Sequence, residues 1–335
     1  MPEFALTPEE QRRFENDTRK KIVLEKKLAA KFLKWGVAVA NEVARERAFN
    51  GAISQYLRDA LWQILRDHYI LTMDRFLRYD FKAYAESGVI DEPDDAVRSG
   101  LLNISADLAG LIMTRGRASQ KSILETTTKN IMQAIEAARD TFKSFGNDIV
   151  TKQEPPQPEA VPTADDVMSI ARRLLIVRLN HRANLIGITE TQWAAEGAKY
   201  KSVDHGTNVL NVLLRGINDD IAAGRPDLAR RKLESAVRMA EKSYTDFAKS
   251  ELSKAREDVE QGRVRKTPRN VVSFKAWVTR MDKRVRATHR LALGQRVRND
   301  EPFLVGDSKL MYPGDRSLNA EKAETAMCRC WVIYN

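Results

Sequence analysis

Apolar residues recur along most of this chain at steps of three and four. Leu24, Leu28, Phe32, Trp35, Val39 and Val43 form one such stripe, the signature of an amphipathic helix. Thr7-Pro8-Glu9-Glu10 supplies its start: a capping Thr, Pro at the first helical position, and Glu three residues after the Thr. The pattern predicts a helix running to about Phe49, broken by Asn50-Gly51. A second stripe runs through Ile53, Leu57, Leu61, Ile64, His68, Leu71, Phe76 and Tyr79 and predicts a second long helix, with His68 as a hydrogen-bonded core histidine. After a polar loop from Ser87 to Asp95, two more helices are expected at 96–114 and 119–145. The later one carries Leu124, Thr127, Ile131, Ile135, Ala138, Phe142 and Phe145 in register. At about 1.5 Å per residue the first helices are on the order of 50–60 Å long, a length that suits a bundle or stalk.

Pro155, Pro156, Pro158 and Pro162 crowd the stretch 151–162, which reads as a semi-rigid linker. It divides a helical domain, 1–150, from a second domain, 163–335. Thr163-Ala164-Asp165-Asp166 restarts a helix with a cap and two acids in the first turn. Residues 201–262 read as two helices around an Ala223-Gly224-Arg225-Pro226-Asp227 turn, the second at about 227–261. Leu233, Val237, Ala240, Tyr244, Phe247, Ala248 and Leu252 make its apolar side. This hairpin is read as an insertion, either a docking arm or an inert lengthening of the fold.

The last quarter changes pattern. Ser273 to Leu293 reads as helix, whereas Phe303-Leu304-Val305 and Trp331-Val332-Ile333-Tyr334 are short and rich in strand formers. Tyr312-Pro313-Gly314-Asp315 places Pro and Gly at the centre of a type II turn. The expected fold is therefore mainly α: an N-terminal bundle of long helices, plus a smaller α+β C-terminal domain with a helical-hairpin insertion.

Charge sharpens this picture. The chain of 335 residues carries a formal +10. Between Arg263 and Arg298 there are twelve Lys or Arg and one acid, Asp282, so the remainder is close to neutral. Such a local patch attracts polyanions, nucleic acid first among them. Its candidate contacts are Arg263, Arg265, Lys266, Arg269, Lys283, Arg290, Arg296 and Arg298. A solvated basic face, or arginines paired with acids elsewhere, is the alternative. No stretch of eighteen apolar residues suggests a membrane span, and the N-terminus shows no apolar signal core. Two cysteines provide no disulfide framework, which fits synthesis in a reducing cytoplasm.

On the predicted helix, Asp282, Arg286 and His289 recur at i, i+4 and i+7 and so share a face. With Arg284 they have the residue types of a metal-independent nuclease or a toxin-like transferase, His as base and Arg holding a phosphate. Cys328 and Cys330, with His289 and an Asp, have the residue types of a zinc site. Against this, zinc motifs usually space their cysteines more widely, and the bland reading is two small buried thiols beside a terminal strand. No cofactor is otherwise indicated. A phosphate-binding Gly-x-x-x-x-Gly-Lys loop and the common hydrolase signatures Gly-x-Ser-x-Gly and His-Glu-x-x-His are absent from the sequence.

The order of residues in this last quarter resembles the C-terminal domain of the phage minor head (head morphogenesis) proteins, the family of the Mu F-like protein. Lys275 and Trp277 match the lead-in, and Asp282, Arg284, Val285, Arg286 and His289 match the central motif. Gly294, Pro302, Phe303, Tyr312, Pro313, Gly314 and Asp315 follow in order, and Cys328, Arg329 and Cys330 close the match. Met327 stands where the family usually has Asn. Upstream, Arg182, Ala183, Ile186, Thr189 and Glu190 resemble a second family segment, although Thr189 and Gln192 also read as an ordinary capping box. The insertion accounts for the long gap between the two segments.

The resemblance implies a minor structural protein of a tailed-phage head, near the portal vertex, acting in head morphogenesis and in DNA packaging or delivery. It implies the portal protein, other head proteins and packaged double-stranded DNA as partners. Its location would be the virion head, with the host cytoplasm during assembly. It implies no enzyme. Two other readings compete: a DNA-binding protein ejected with the genome, and the nuclease or toxin-like enzyme built on Asp282, Arg286 and His289.

Overall fold

The computed structural model describes residues 6–45, 52–76, 95–149, 163–242, 246–263, 272–280 and 282–334. Four long helices come first: α1 (Pro8–Arg45), α2 (Gln55–Phe76), α3 (Asp95–Ile149) and α4 (Ala164–Ala222). Two shorter ones follow, α5 (Pro226–Lys242) and α6 (Asp246–Glu260). The C-terminal region holds β1 (Phe274–Val278), α7 (Ala287–Leu291), β2 (Arg296–Arg298), β3 (Phe303–Val305), β4 (Ser308–Leu310), α8 (Lys322–Thr325) and β5 (Trp331–Tyr334). The fold is mainly helical with a small region of short strands, as the periodicity predicts.

The start of α1 follows its sequence signal in detail. Thr7 N–H donates to Glu10 Oε2 at 2.8 Å, and Glu10 N–H donates to Thr7 Oγ1 at 3.2 Å. Two otherwise orphaned donors are thereby satisfied. Thr163 and Asp166 do the same for α4.

The chain forms two compact units, and they cut it differently from a linear division at the proline-rich stretch. One unit comprises Ile22–Ile70 and Leu111–Ile188, so residues on both sides of 151–162 build it. It is a four-helix arrangement, because each helix has one apolar stripe that needs partners. Leu28, Phe32 and Val39 of α1, Leu61 and Leu65 of α2, Ile131 of α3, and Leu175 and Leu179 of α4 are buried in it. The other unit comprises Met1–Lys21, Leu71–Gly110 and Thr189–Asn335, and it contains every strand among the described residues.

Several expectations are corrected. The two helices at 96–114 and 119–145 are one continuous helix, α3. Gly116 lies in the expected gap, and the helix runs through it because a small residue is needed there: a Cβ would lie 2.4 Å from the Trp62 ring. On α2 the buried face runs through Leu57, Leu61, Leu65, Tyr69 and Met73, while Leu71 is exposed. The segment at 201–262 comprises three helical pieces, because the end of α4 pairs with both α5 and α6. Leu213, Leu214 and Ile217 of α4 pack with Ala229, Leu233 and Ala236 of α5 and with Leu252 and Val259 of α6. The turn after α4 closes as predicted, with Gly224 N–H on Ile221 O and Arg225 N–H on Asp220 O. Asn50-Gly51, Tyr79, residues 87–94 of the expected polar loop, the proline-rich stretch and Tyr244 lie outside the described residues.

Ser273 to Leu293 is not one helix. Its first part is β1, the centre of an antiparallel sheet ordered β2-β1-β5. Trp277 pairs with Val332 and Lys275 with Tyr334 across one edge; Lys275 pairs with Val297 across the other. Pairing with residues about sixty positions away overrides the local helical pattern. β3 and β4 form a separate hairpin, Val305 opposite Ser308.

Candidate functional site

The residues of the C-terminal motif converge on one face of α4. Trp193, Glu196, Gly197 and Tyr200 recur at helical spacing, and all four are buried. The Tyr312-Pro313-Gly314-Asp315 turn lies against them. It closes with Asp315 N–H on Tyr312 O at 3.0 Å, and Gly314 has φ +88, as the third position of a type II turn requires. Gly314 faces Trp193, and Tyr312 lies over Gly197 and stacks beside the Tyr200 ring at 5.5 Å. Asp315 is buried and ties the turn internally. It accepts from Met311 N–H at 3.0 Å, Ser317 N–H at 2.9 Å and the Ser317 hydroxyl at 2.8 Å.

Lys275 reaches under this turn. Its ammonium donates to the Met311 carbonyl at 2.8 Å and lies 4.9 Å from the Tyr200 ring centroid and 5.2 Å from that of Phe303. Burial pulls its pKa down to about 8, although Asp315, Asp204, Asp300 and Glu301 pull the other way. Burial also pushes the Tyr200 phenol up, with Asp204, Asp315 and Asp300 adding to it. Lys275 therefore belongs to the core and not to the basic surface.

Glu196 is another charged residue of the core, and nothing local in the sequence marks it. Its carboxylate takes Lys21 of α1 and Lys199 of α4 and accepts the Val332 N–H of β5 at 3.2 Å. Burial alone would raise its pKa, but Lys199 and Lys21 outweigh that and hold it below the usual carboxylate value. Lys21 also donates to Gln192 Oε1 at 3.0 Å, and Gln192 donates to the Cys330 carbonyl. This network joins α1, α4 and β5 over sequence separations of 136 to 175 residues, so no short spacing could have announced it.

Beside the sheet is a cluster of His289, Cys328 and Cys330, all buried. His289 Nδ1 lies 3.2 Å from Cys330 Sγ and 3.5 Å from Cys328 Sγ. Its Nε2 lies 2.9 Å from Glu324 Oε2, which also accepts the Thr288 hydroxyl at 2.9 Å. The Trp277 ring stands edge-on to the imidazole at 5.7 Å and to Phe303 at 5.2 Å. Burial would push the Cys328 thiol up, yet hydrogen bonds with Cys330 and His289 and the charge of His289 bring it down to about 5. Burial pulls His289 down, and its hydrogen bond and charge interaction with Cys328 more than restore it. Cys330 is raised by burial and then by the Cys328 thiolate. Glu324, the residue that orients His289, was missed in the sequence because it lies 35 positions away.

The helical face of Asp282, Arg286 and His289 does not exist. Asp282 lies in a turn ahead of α7, where its Oδ1 accepts Arg284 N–H at 2.9 Å and its Oδ2 faces Arg329 at 3.4 Å. Arg286 donates to the Ala326 carbonyl, a structural role. His289 faces the cysteines instead.

Thr189 is not a helix cap, since α4 runs through it. Its hydroxyl accepts the Met327 N–H at 3.2 Å, which joins the upstream segment to the closing one. Glu190 is buried alongside, whereas Arg182 belongs to the four-helix unit and burial lowers its pKa.

The basic surface is smaller than the sequence count. Lys283, Arg284, Arg290 and Arg296 are exposed, and no ion pair among the described residues involves them. Arg296 stacks over Phe274 at 5.3 Å. Arg298 is held by Asp300, with contacts of 3.0 and 3.2 Å, and Arg263 lies 3.9 Å from Asp258. Arg265, Lys266 and Arg269 lie outside the described residues. No helix among the described residues is long and apolar enough to cross a membrane.

Comparison of the chain with protein-family models, with curated proteins and with solved structures gives no match.

Proposed function

We propose that this chain is a minor structural protein of a tailed-phage head, acting at the portal vertex in head morphogenesis. One observation carries the reading. The residues that resemble the minor head motif, far apart in sequence, pack into one buried assembly. Thr189, Lys275, Trp277, His289, Tyr312, Gly314, Asp315, Cys328 and Cys330 all sit in the same unit. The motif residues are used to hold a small domain on a long helix, which is the work of a structural component. His289 and the two cysteines face one another. A fold resemblance does not by itself supply an active site, so the enzyme reading is set aside in this proposal. The partners of this reading are the portal protein and other head proteins, and its location is the virion.

Quantitative mass spectrometry of purified virions from the phage that encodes the chain tests it. A few copies per capsid shell are expected. Abundance in the infected cell with complete absence from virions would overturn the reading.

Contact with packaged DNA has its own support in the exposed Lys283, Arg284, Arg290 and Arg296. Neutralising phosphates releases counterions, so affinity should fall steeply and log-linearly with salt. Charge reversal of these four should flatten that slope; an unchanged slope would remove DNA from the partners.

A further inference from the structure

We infer that His289, Cys328 and Cys330 form a binding site for a zinc-class divalent cation, oriented by Glu324. The inference rests on geometry and is independent of the head-protein reading.

The donor atoms already stand where a tetrahedral ion needs them. His289 Nδ1 is 3.2 Å from one sulfur and 3.5 Å from the other, and all three donors lie within 4.8 Å of one another. A zinc ion with bonds of about 2.0 Å to nitrogen and about 2.3 Å to sulfur has nitrogen–sulfur edges of about 3.6 Å. The ion therefore fits with only small movement of the side chains.

Both cysteines reach the imidazole despite their close spacing. Cys328 and Cys330 directly precede β5 and are buried, with the half-buried Arg329 between them. Both sulfurs lie within 3.5 Å of His289 Nδ1, so this Cys-x-Cys pair aims at one imidazole. The same close spacing disfavours a disulfide between them, and both cysteines are free.

The outer contacts are those of a metal-bound histidine. Glu324 accepts from His289 Nε2 at 2.9 Å, fixes the ring orientation and leaves Nδ1 aimed at the sulfurs. Thr288 holds the same carboxylate oxygen. A carboxylate behind a ligating imidazole raises its basicity and orients it. Two protons leave the cluster to solvent as the ion binds, so that both cysteines ligate as thiolates and His289 through an unprotonated Nδ1, and a solvent-derived ligand completes the fourth position. Bound there, the ion would cross-link α7 to the terminal strand.

The test uses the full-length chain expressed with added zinc. Metal analysis should give one zinc per chain. Replacement by cobalt should give thiolate-to-cobalt charge-transfer bands and the visible bands of a tetrahedral site. Glu324→Gln should keep the fold and the stoichiometry but weaken zinc binding about 10- to 100-fold, measured by competition with a chelator. Cys328→Ser with Cys330→Ser should abolish the charge-transfer bands. A folded wild-type chain with substoichiometric zinc and no cobalt–thiolate bands would overturn the inference. So would full zinc retention, at unchanged affinity, in a folded double-serine variant. Because the wild-type cobalt spectrum and Glu324→Gln decide the matter alone, failure of the serine variant to fold leaves the test intact.

Discussion

Met327 donates its backbone N–H to Thr189 Oγ1 at 3.2 Å, joining residues 138 positions apart. To make that bond Met327 adopts φ 52, one of two non-glycine residues with positive φ among the described residues. A Cβ in the left-handed region costs roughly 1–2 kcal/mol, and Asn tolerates it better than an unbranched apolar residue does. Met327 is 38 % exposed, so its side chain is already partly solvated and its loss sets against the relief of backbone strain. Met327→Asn is expected to raise stability by roughly 0.5–1 kcal/mol, read as a higher urea midpoint with unchanged m. A lowered midpoint would show that the Met side chain contributes more than the backbone strain costs.

Much of this architecture was legible, and the residues show why. The caps at Thr7 and Thr163 and the α1 stripe are local signals, and the structure follows them. So is the turn at Gly314. What was not legible depends on contacts across the chain. β1 reads as helix because Phe274–Val278 lacks strict alternation; only pairing with β2 and β5 makes it a strand. Glu196 and Glu324 look like surface acids on helices until Lys21, Lys199 and His289 arrive from elsewhere. The cysteine pair was visible as chemistry, but its approach to His289, 41 and 39 positions away, was not.

Two glycines inside long helices predict opposite outcomes. A Cβ on Gly187 would lie 2.6 Å from the backbone oxygen of Glu25, an atom that cannot swing aside. Helix propensity favours Ala over Gly by about 1 kcal/mol, but overpacking costs about 1–3 kcal/mol and wins here. Gly187→Ala should therefore lower the melting temperature. At Gly110 a Cβ would meet nothing within 4 Å, so Gly110→Ala should stabilise by roughly 0.5–1 kcal/mol. Equal shifts in the two variants would show that helix propensity alone governs both sites.

Glu196 should be among the most sensitive residues. It is fully buried between two ammonium groups, and removing one member of such a group leaves uncompensated buried charge. Glu196→Gln is expected to cost about 3–5 kcal/mol in chemical denaturation. Its folded pKa is depressed below 4.5, so its contribution is complete above that value and is lost as pH falls through the folded pKa. The wild type should lose stability more steeply than Glu196→Gln as pH drops below about 4.5. Parallel acid curves would show that the carboxylate is not the proton-linked group.

Lys275 should produce the opposite dependence at alkaline pH. Its folded pKa is about 8, against an ordinary value of 10.5. Between these two values the unfolded chain holds a proton that the folded chain has released, so stability rises with pH across that window. Below about 8 both states are protonated and the folded state carries the cost of a buried ammonium, offset in part by Met311 and the two rings. Raising the pH from 8 to 10 should therefore stabilise the wild type by on the order of 2 kcal/mol relative to Lys275→Met, which has no proton to release. Urea midpoints of the two proteins at both pH values measure the difference directly. A difference that stays constant, or that narrows in favour of Lys275→Met as pH rises, would mean that Lys275 keeps its proton throughout. The carbonyl of Met311 and the faces of Tyr200 and Phe303 would then compensate fully for its burial.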